Sequence, residues 1–168
     1  MIKSAHLVFT QATPEDFEHF YALDSDPEIM KFIRAPSKDE AESRTRFQKL
    51  IDYNAKYNDR GAYAVRTHAG EFVGIGYMVH MELNPDLIEH EVGYRLAKKF
   101  WGRGLATEIS LALIDYGFKT LKLTHINGTT NPAHVVSQKV LMKAGLKDMG
   151  TGPFYGGCRL FRIDNPDL

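Results

Sequence analysis

Cysteine is nearly absent from this chain, Cys158 being the only one. A lone thiol cannot close an internal disulfide, so stability has to come from a packed core, and a reducing cytoplasm is the expected setting. Net charge is missing too, with 21 Lys and Arg against 21 Asp and Glu. Binding a nucleic-acid backbone needs a basic surplus or a basic face, so nucleic acid is not expected as a partner and any polyanion must be held locally. No apolar run approaches the ~20 residues of a membrane span, and the first residues lack the apolar stretch of a signal peptide, so no membrane partner is expected. A Gly-x-x-x-x-Gly-Lys phosphate loop is absent, which removes the common nucleotide hydrolases. His90-Glu91 begins like a zinc motif, but Tyr94 stands where the second His belongs, and no metal ligand set is expected.

What remains is enough for one core: 168 residues, 43% of them hydrophobic, read as a single domain over 1–168. Residues 5–10 have the β-branched and aromatic content of a strand. Thr13-Pro14-Glu15-Asp16 starts a helix by capping hydroxyl, proline and early acids, and Phe17, Phe20 and Tyr21 give it an apolar face. Asp26-Pro27-Glu28 opens another, followed by Ile29, Met30, Phe32 and Ile33. Ser37-Lys38-Asp39-Glu40 has the form of a capping box before a helix carrying Phe47, Leu50, Ile51 and Tyr57. From Ala62 the period changes to two, giving strands over 62–67, 71–82 and 88–96. Leu105, Ile109, Leu113 and Tyr116 trace the next helix, 124–130 a strand, and 146–149 and 158–163 closing strands around a Gly152-Pro153…Gly156-Gly157 loop. The alternation predicts an α/β fold, a mixed sheet with helices on both faces.

Where the 88–96 strand joins its helix lies Tyr94–Thr107, with Gly102 and Gly104 at the turn. Glycines there let consecutive N–H groups converge at the positive end of a helix, where a phosphate is stabilised. Charge order adds to this. Glu82, Asp86, Glu89 and Glu91 precede the turn without a Lys or Arg among them, and Arg95, Lys98, Lys99 and Arg103 surround it without an acid. That polarity suits an amine on one side and a polyanionic carrier on the other. Downstream, 131–145 reads as a short helix opened by Pro132 and stopped by Gly145.

In these three motifs the chain resembles the GNAT N-acetyltransferases, and within them the branch containing the ribosomal-protein N-terminal acetyltransferases. Glu91-Val92-Gly93-Tyr94-Arg95-Leu96 is similar to the family's fourth strand, Trp101-Gly102-Arg103-Gly104-Leu105-Ala106 to its pyrophosphate loop, and Pro132 through Gly145 to its last helix. The resemblance runs over roughly residues 5 to 164. It implies a single-domain, mostly antiparallel sheet of about seven strands, with acetyl-coenzyme A as co-substrate and an amine as acceptor, in a monomer or homodimer. Trp101 stands where the wider family often has Gln or Arg, and His134 where this branch usually has Asn.

The resemblance also implies where the coenzyme lies. Its pyrophosphate would rest on the N–H groups of Gly102, Arg103, Gly104, Leu105, Ala106 and Thr107 beside Trp101, and its pantetheine arm along the backbone of Tyr94, Arg95 and Leu96. His134 would be a further contact, or else a helix-start residue facing solvent. Acetyl transfer to an amine also needs a base for the amine and a proton donor for the leaving thiolate. Glu91 is the candidate base, with Glu89 and His90 behind it. Ser137 falls where the resembled branch places a hydroxyl near the coenzyme sulfur, so it is the candidate donor, with Tyr155 as the alternative. An α-amine with pKa near 7.8 costs roughly 1 kcal/mol to neutralise at pH 7, and a lysine near 10.4 about 4.6 kcal/mol, which tilts the acceptor toward a peptide or protein N-terminus. Small amines such as a polyamine, an amino acid or an aminoglycoside stay open, as does a non-catalytic acyl-coenzyme-A sensor.

Overall fold

The computed structural model describes residues 1–168. Eight strands form one sheet in the order β1-β2-β3-β4-β5-β6-β8-β7: β1 Ile2–Lys3, β2 Leu7–Gln11, β3 Gly61–Thr67, β4 Phe72–His80, β5 His90–Leu96, β6 His125–Thr130, β7 Lys147–Gly152 and β8 Cys158–Asp164. Every neighbouring pair is antiparallel except β5 and β6. The expected α/β class and mixed sheet hold, with one strand more than the expected seven. The extra strand is β1, two residues pairing with Val8 and Phe9, too short to show a period of its own.

The helices are α1 Phe17–Asp24, α2 Pro27–Met30, α3 Glu40–Lys56, α4 Leu105–Lys119 and α5 Val135–Lys143. On one face Phe17, Phe20, Leu23, Phe47 and Leu50 of α1 and α3 pack on Ala62 and Ile75 of the sheet. On the other, Ile109, Leu113, Ile114 and Phe118 of α4 and Leu141 of α5 meet Val65, Met78, Val92, Ile126 and Phe161. Fully buried side chains such as Phe9, Phe20, Ile109 and Leu113 each contribute about 1.5–3 kcal/mol of transfer free energy.

Local signals set most helix starts. The Asp26 carboxylate accepts from Glu28 and Ile29 N–H at 2.8 and 3.2 Å ahead of Pro27, and the Asp16 carboxylate closes back on Thr13 N–H at 2.9 Å. Three boundaries differ clearly from expectation. The cap of α3 is Asp39, whose side chain accepts from Glu42 N–H at 2.8 Å, while Ser37 is buried without a partner for its hydroxyl. Pro132 does not open α5: Asn131 Oδ1 accepts from Ala133 N–H in an Asx turn, and the helix begins at Val135. Likewise β4 stops at His80, because Glu82 and Leu83 take positive φ values of 57° and 54°.

Candidate functional site

Strands β5 and β6 share one ladder pair, Glu91 with Asn127, and beyond it they separate into a cleft of about 1080 Å³ lined by Glu91 through Arg95, Thr129, Thr130, Ser137 and Tyr155 among others. Ala97 N–H donates to the Val73 carbonyl and Met81 N–H to the Glu89 carbonyl, with an unbroken register between. The alternation of an antiparallel ladder therefore spends the backbone of Glu91, Gly93 and Arg95 on β4 and turns that of Val92, Tyr94 and Leu96 toward the gap. An extended arm can add there like a strand, using Tyr94. Two of the expected backbone contacts change. Arg95 offers no main-chain group to the gap, and the Leu96 carbonyl already accepts from Trp101 Nε1 at 3.0 Å.

The turn at the far end fits a phosphate. Gly102 and Gly104 have φ of 70° and 75°, and a Cβ at either would project into open space. Gly104 caps α4, and Glu108 N–H is already bonded to its carbonyl, so the N–H groups of Leu105, Ala106 and Thr107 have no intrahelical acceptor. The charge order read from the sequence is only partly realised here. Lys98 pairs with Asp26 and Glu28, Lys99 with Glu71, and Arg95 turns to Asp24. Arg103, over the Phe100 ring at 5.4 Å, is the base left without an acid at the turn.

Of the three candidate bases, only Glu91 lines the cleft. Glu89 is tied to His125, Asn127 and Arg162 at 2.6–3.0 Å. His90 bonds the Ile88 carbonyl through Nδ1 and Arg60 through Nε2, and burial lowers its pKa to about 4. Glu91 is buried, and burial raises its pKa to about 7 against the hydrogen bond from Thr129 Oγ1 at 3.2 Å. Tyr155 OH donates to Glu91 Oε1 and accepts from Glu82 N–H, and Tyr155 N–H returns to Glu82 Oε1 at 2.5 Å. Glu82, Leu83 and Tyr155 all have positive φ, a strained arrangement held where three segments converge on one carboxyl. Tyr155 and Glu91, read as separate candidates, are one unit.

Ser137 does not bond back to its own turn, as Ser110 does to Ala106. Its Oγ accepts from Tyr94 OH at 3.2 Å, leaving the Ser137 O–H free to donate into the cleft. That hydroxyl of Tyr94 was not foreseen, because only its backbone was implicated. His134 stands at the cap position just before α5, yet it is stacked on Phe32 at 4.5 Å and 20°, half-buried rather than open to solvent. Also unforeseen is a cluster on the other wall, where Arg34, Arg46 and Arg95 surround the fully buried Asp24. No spacing in the sequence links those four positions.

A profile of the acetyltransferase (GNAT) domain matches residues 6–147. An uncharacterized N-acetyltransferase, p20 of Bacillus licheniformis, is 29% identical over 75% of this chain and 70% of its own. Among solved structures, an acetyltransferase from Agrobacterium tumefaciens superposes with a TM-score of 0.82 at 21% identity, covering 96% of this chain and 92% of that one. Spermidine N-acetyltransferase from Vibrio cholerae, in complex with coenzyme A and spermine, superposes at 0.78 with 16% identity over 96% and 97%. With the domain profile covering most of its length, the chain belongs to the GNAT family of acetyltransferases and is an N-acetyltransferase that takes acetyl-coenzyme A as its co-substrate.

Proposed function

We propose that the chain acetylates the α-amino group at the N-terminus of a peptide or protein, the amine attacking directly while donor and acceptor are both bound. The observation that carries this reading is Glu91, a buried carboxyl with a pKa of about 7 at the point where β5 and β6 part. A base poised near neutrality matches an α-ammonium near 7.8 and falls short of a lysine near 10.4 by roughly 4.6 kcal/mol at pH 7. Thr129 and Tyr155 hold Glu91, and Glu91 takes the proton from the ammonium, directly or through water. Acetyl-coenzyme A, when bound, supplies the thioester whose acyl carbon the amine attacks. The Ser137 hydroxyl donates to the departing sulfur, and Tyr94 OH supports Ser137 from behind. Gly102 through Thr107 and Arg103 hold the pyrophosphate, while Tyr94 aligns the arm.

This reading places the whole of 1–168 in the branch of the ribosomal-protein N-terminal acetyltransferases, as a cytoplasmic monomer or homodimer with no nucleic-acid or membrane partner. The balanced charge and the lack of any helix long and apolar enough to cross a membrane support it. A polycation such as the spermine of the Vibrio complex would meet Arg34, Arg46 and Arg95 in this cleft. The test is thiol release from acetyl-coenzyme A across a panel of peptides, amino acids, polyamines and aminoglycosides. Fastest release with N-terminal peptides is expected. Binding of acetyl-coenzyme A with no amine-dependent release would make the protein a sensor, and preference for a polyamine would reject the N-terminal assignment.

A further inference from the structure

The cluster around Asp24 holds more positive charge than it neutralises. Arg46 is well partnered, with both Asp24 oxygens at 3.2 Å, Glu42 at 3.2 Å and the Ala35 carbonyl at 3.1 Å. Arg34 and Arg95 each reach Asp24 at only 3.5 Å and have no other acid. Three guanidiniums thus face two carboxylates, Asp24 and Glu42. Most N–H donors of Arg95 are unspent although its side chain is only 10% exposed, and Arg34 feels both burial and the Arg95 charge, which lower its pKa. Between them stands Tyr77, its ring 5.7 Å from the Arg95 guanidinium and its hydroxyl buried without a hydrogen-bond partner. Arg34, Tyr77 and Arg95 all line the cleft that holds Glu91. Buried donors and charges left in this state are costly unless something completes them.

We propose that Arg34, Tyr77 and Arg95 form a subsite for a carboxylate carried by the amine acceptor, so that the enzyme selects amines by an anion at a fixed distance from the nitrogen. The inference rests on the transfer reading above for where the amine lies. Glu91 and Arg95 are four residues apart on one face of β5, about 13 Å of strand. An extended tripeptide covers about 10 Å at roughly 3.3 Å per residue, which leaves the rest of that separation to the two side chains. The carboxylate comes either from the C-terminus of a short peptide or from an acidic side chain early in a longer one. The shared chemistry is a carboxylate accepting from two guanidiniums and a phenol.

The experiment compares trialanine with trialanine amide, and C-terminally amidated octapeptides having Glu or Gln as third residue, in thiol release and in calorimetric binding to protein saturated with coenzyme A. At least a tenfold advantage in kcat/KM for a carboxylate over its amide is expected, carried in KM. The pair that shows it identifies the source. R34Q, at a half-exposed position whose loss the fold tolerates, should narrow the ratio to within about threefold, and R95K should keep part of it. Carboxylate and amide binding and reacting equally in both pairs overturns the subsite, even if transfer proceeds. Selective binding of the carboxylate without any thiol release retains the subsite and overturns the transfer reading.

Discussion

The two walls of the cleft are made differently. On the proposed reading, the wall for the coenzyme is main chain: the outward N–H and C=O of Tyr94 on the unpaired edge of β5, and the free N–H groups of Leu105, Ala106 and Thr107 at the start of α4. The wall proposed for the acceptor is side chain, drawn from Arg34, Arg46, Tyr77, Glu91, Arg95, Thr129 and Tyr155, with the buried Asp24 behind the arginines. Backbone recognition needs only small residues and a strand that parts from its neighbour, so it tolerates variation elsewhere and suits a co-substrate that is always the same. Side-chain recognition can be rewritten one residue at a time, which suits an acceptor that differs between relatives of one fold.

The difference can be broken most sharply at Glu91. Removing a general base costs on the order of 10³-fold in rate, and Glu91→Gln should do so at pH 7. The deficit should shrink as pH rises past the pKa of the amine, because solvent then supplies neutral nucleophile. Stability moves the other way. The folded carboxyl has its pKa raised to about 7 from 4.5, so the native state holds this proton more tightly than the unfolded chain. The wild type should lose stability as pH climbs from about 4.5 to 7 and stay level above, by up to about 3 kcal/mol. Urea unfolding at pH 5 and pH 8 reads this, and Glu91→Gln should flatten the difference. A mutant with wild-type turnover at pH 6 removes Glu91 as the base.

At the main-chain wall the expected effect is smaller and confined to the donor. Gly104→Val places a branched side chain where space is now open, at φ 75°, and blocks at least one charge-assisted contact, a loss of ~1.5–3 kcal/mol or about 10- to 100-fold in coenzyme affinity. The backbone strain, about 1–2 kcal/mol, leaves the protein folded by circular dichroism. Calorimetry showing unchanged affinity would take the loop out of the site.

The same contrast explains what could be read from the sequence. The order of strands and helices followed from period and caps, and the donor wall was legible because a Gly-x-Gly turn between a strand and a helix is a contiguous signal. The acceptor wall left no such trace. Arg34, Arg46, Arg95 and Asp24 meet only after α1, α3 and β5 are packed, and the pairing of Lys98 with Asp26 and Glu28 cancelled charges that looked available along the chain. Glu91 led the candidate bases in the sequence, but what separates it from Glu89 and His90 is their partners, His125, Asn127 and Arg162 for the one and Arg60 for the other, which the sequence does not display. Strand β1 and the Val135 start of α5 were missed because two-residue pairing and an Asx turn leave no periodicity.

Ser137 and Tyr94 sit where the walls join. Ser137→Ala should slow single-turnover transfer about tenfold, the thiolate being a good leaving group, while the coenzyme dissociation constant changes little. If Tyr94 acts through Ser137, then Tyr94→Phe and the double mutant should cost no more than Ser137→Ala alone. Independent, additive losses would break the relay, and a Ser137→Ala rate within twofold of wild type would shift the donor role to Tyr155.

The smallest effect belongs to the stack of His134 on Phe32, the ring contact through which the residue before α5 meets the segment after α2. An aromatic pair contributes about 0.5–1.5 kcal/mol beyond its burial, so Phe32→Ala and His134→Ala should each lower stability modestly, with a coupling of that size in a double-mutant cycle. Burial lowers the His134 pKa below its ordinary 6.5, so the unfolded chain takes the proton first. The contribution of neutral His134 is full above pH 6.5 and is lost as pH falls below it, and a positive charge at a helix start acts in the same direction. Phe32→Ala opens His134 to water and should reduce that acid sensitivity. Kinetically the pair should act on the acceptor rather than the donor: KM for the amine rises a few-fold in either mutant, whereas coenzyme affinity stays within about twofold. A His134→Ala protein that loses coenzyme affinity tenfold instead would make His134 a donor contact after all, and would move α5 wholly to the main-chain wall's side of the comparison.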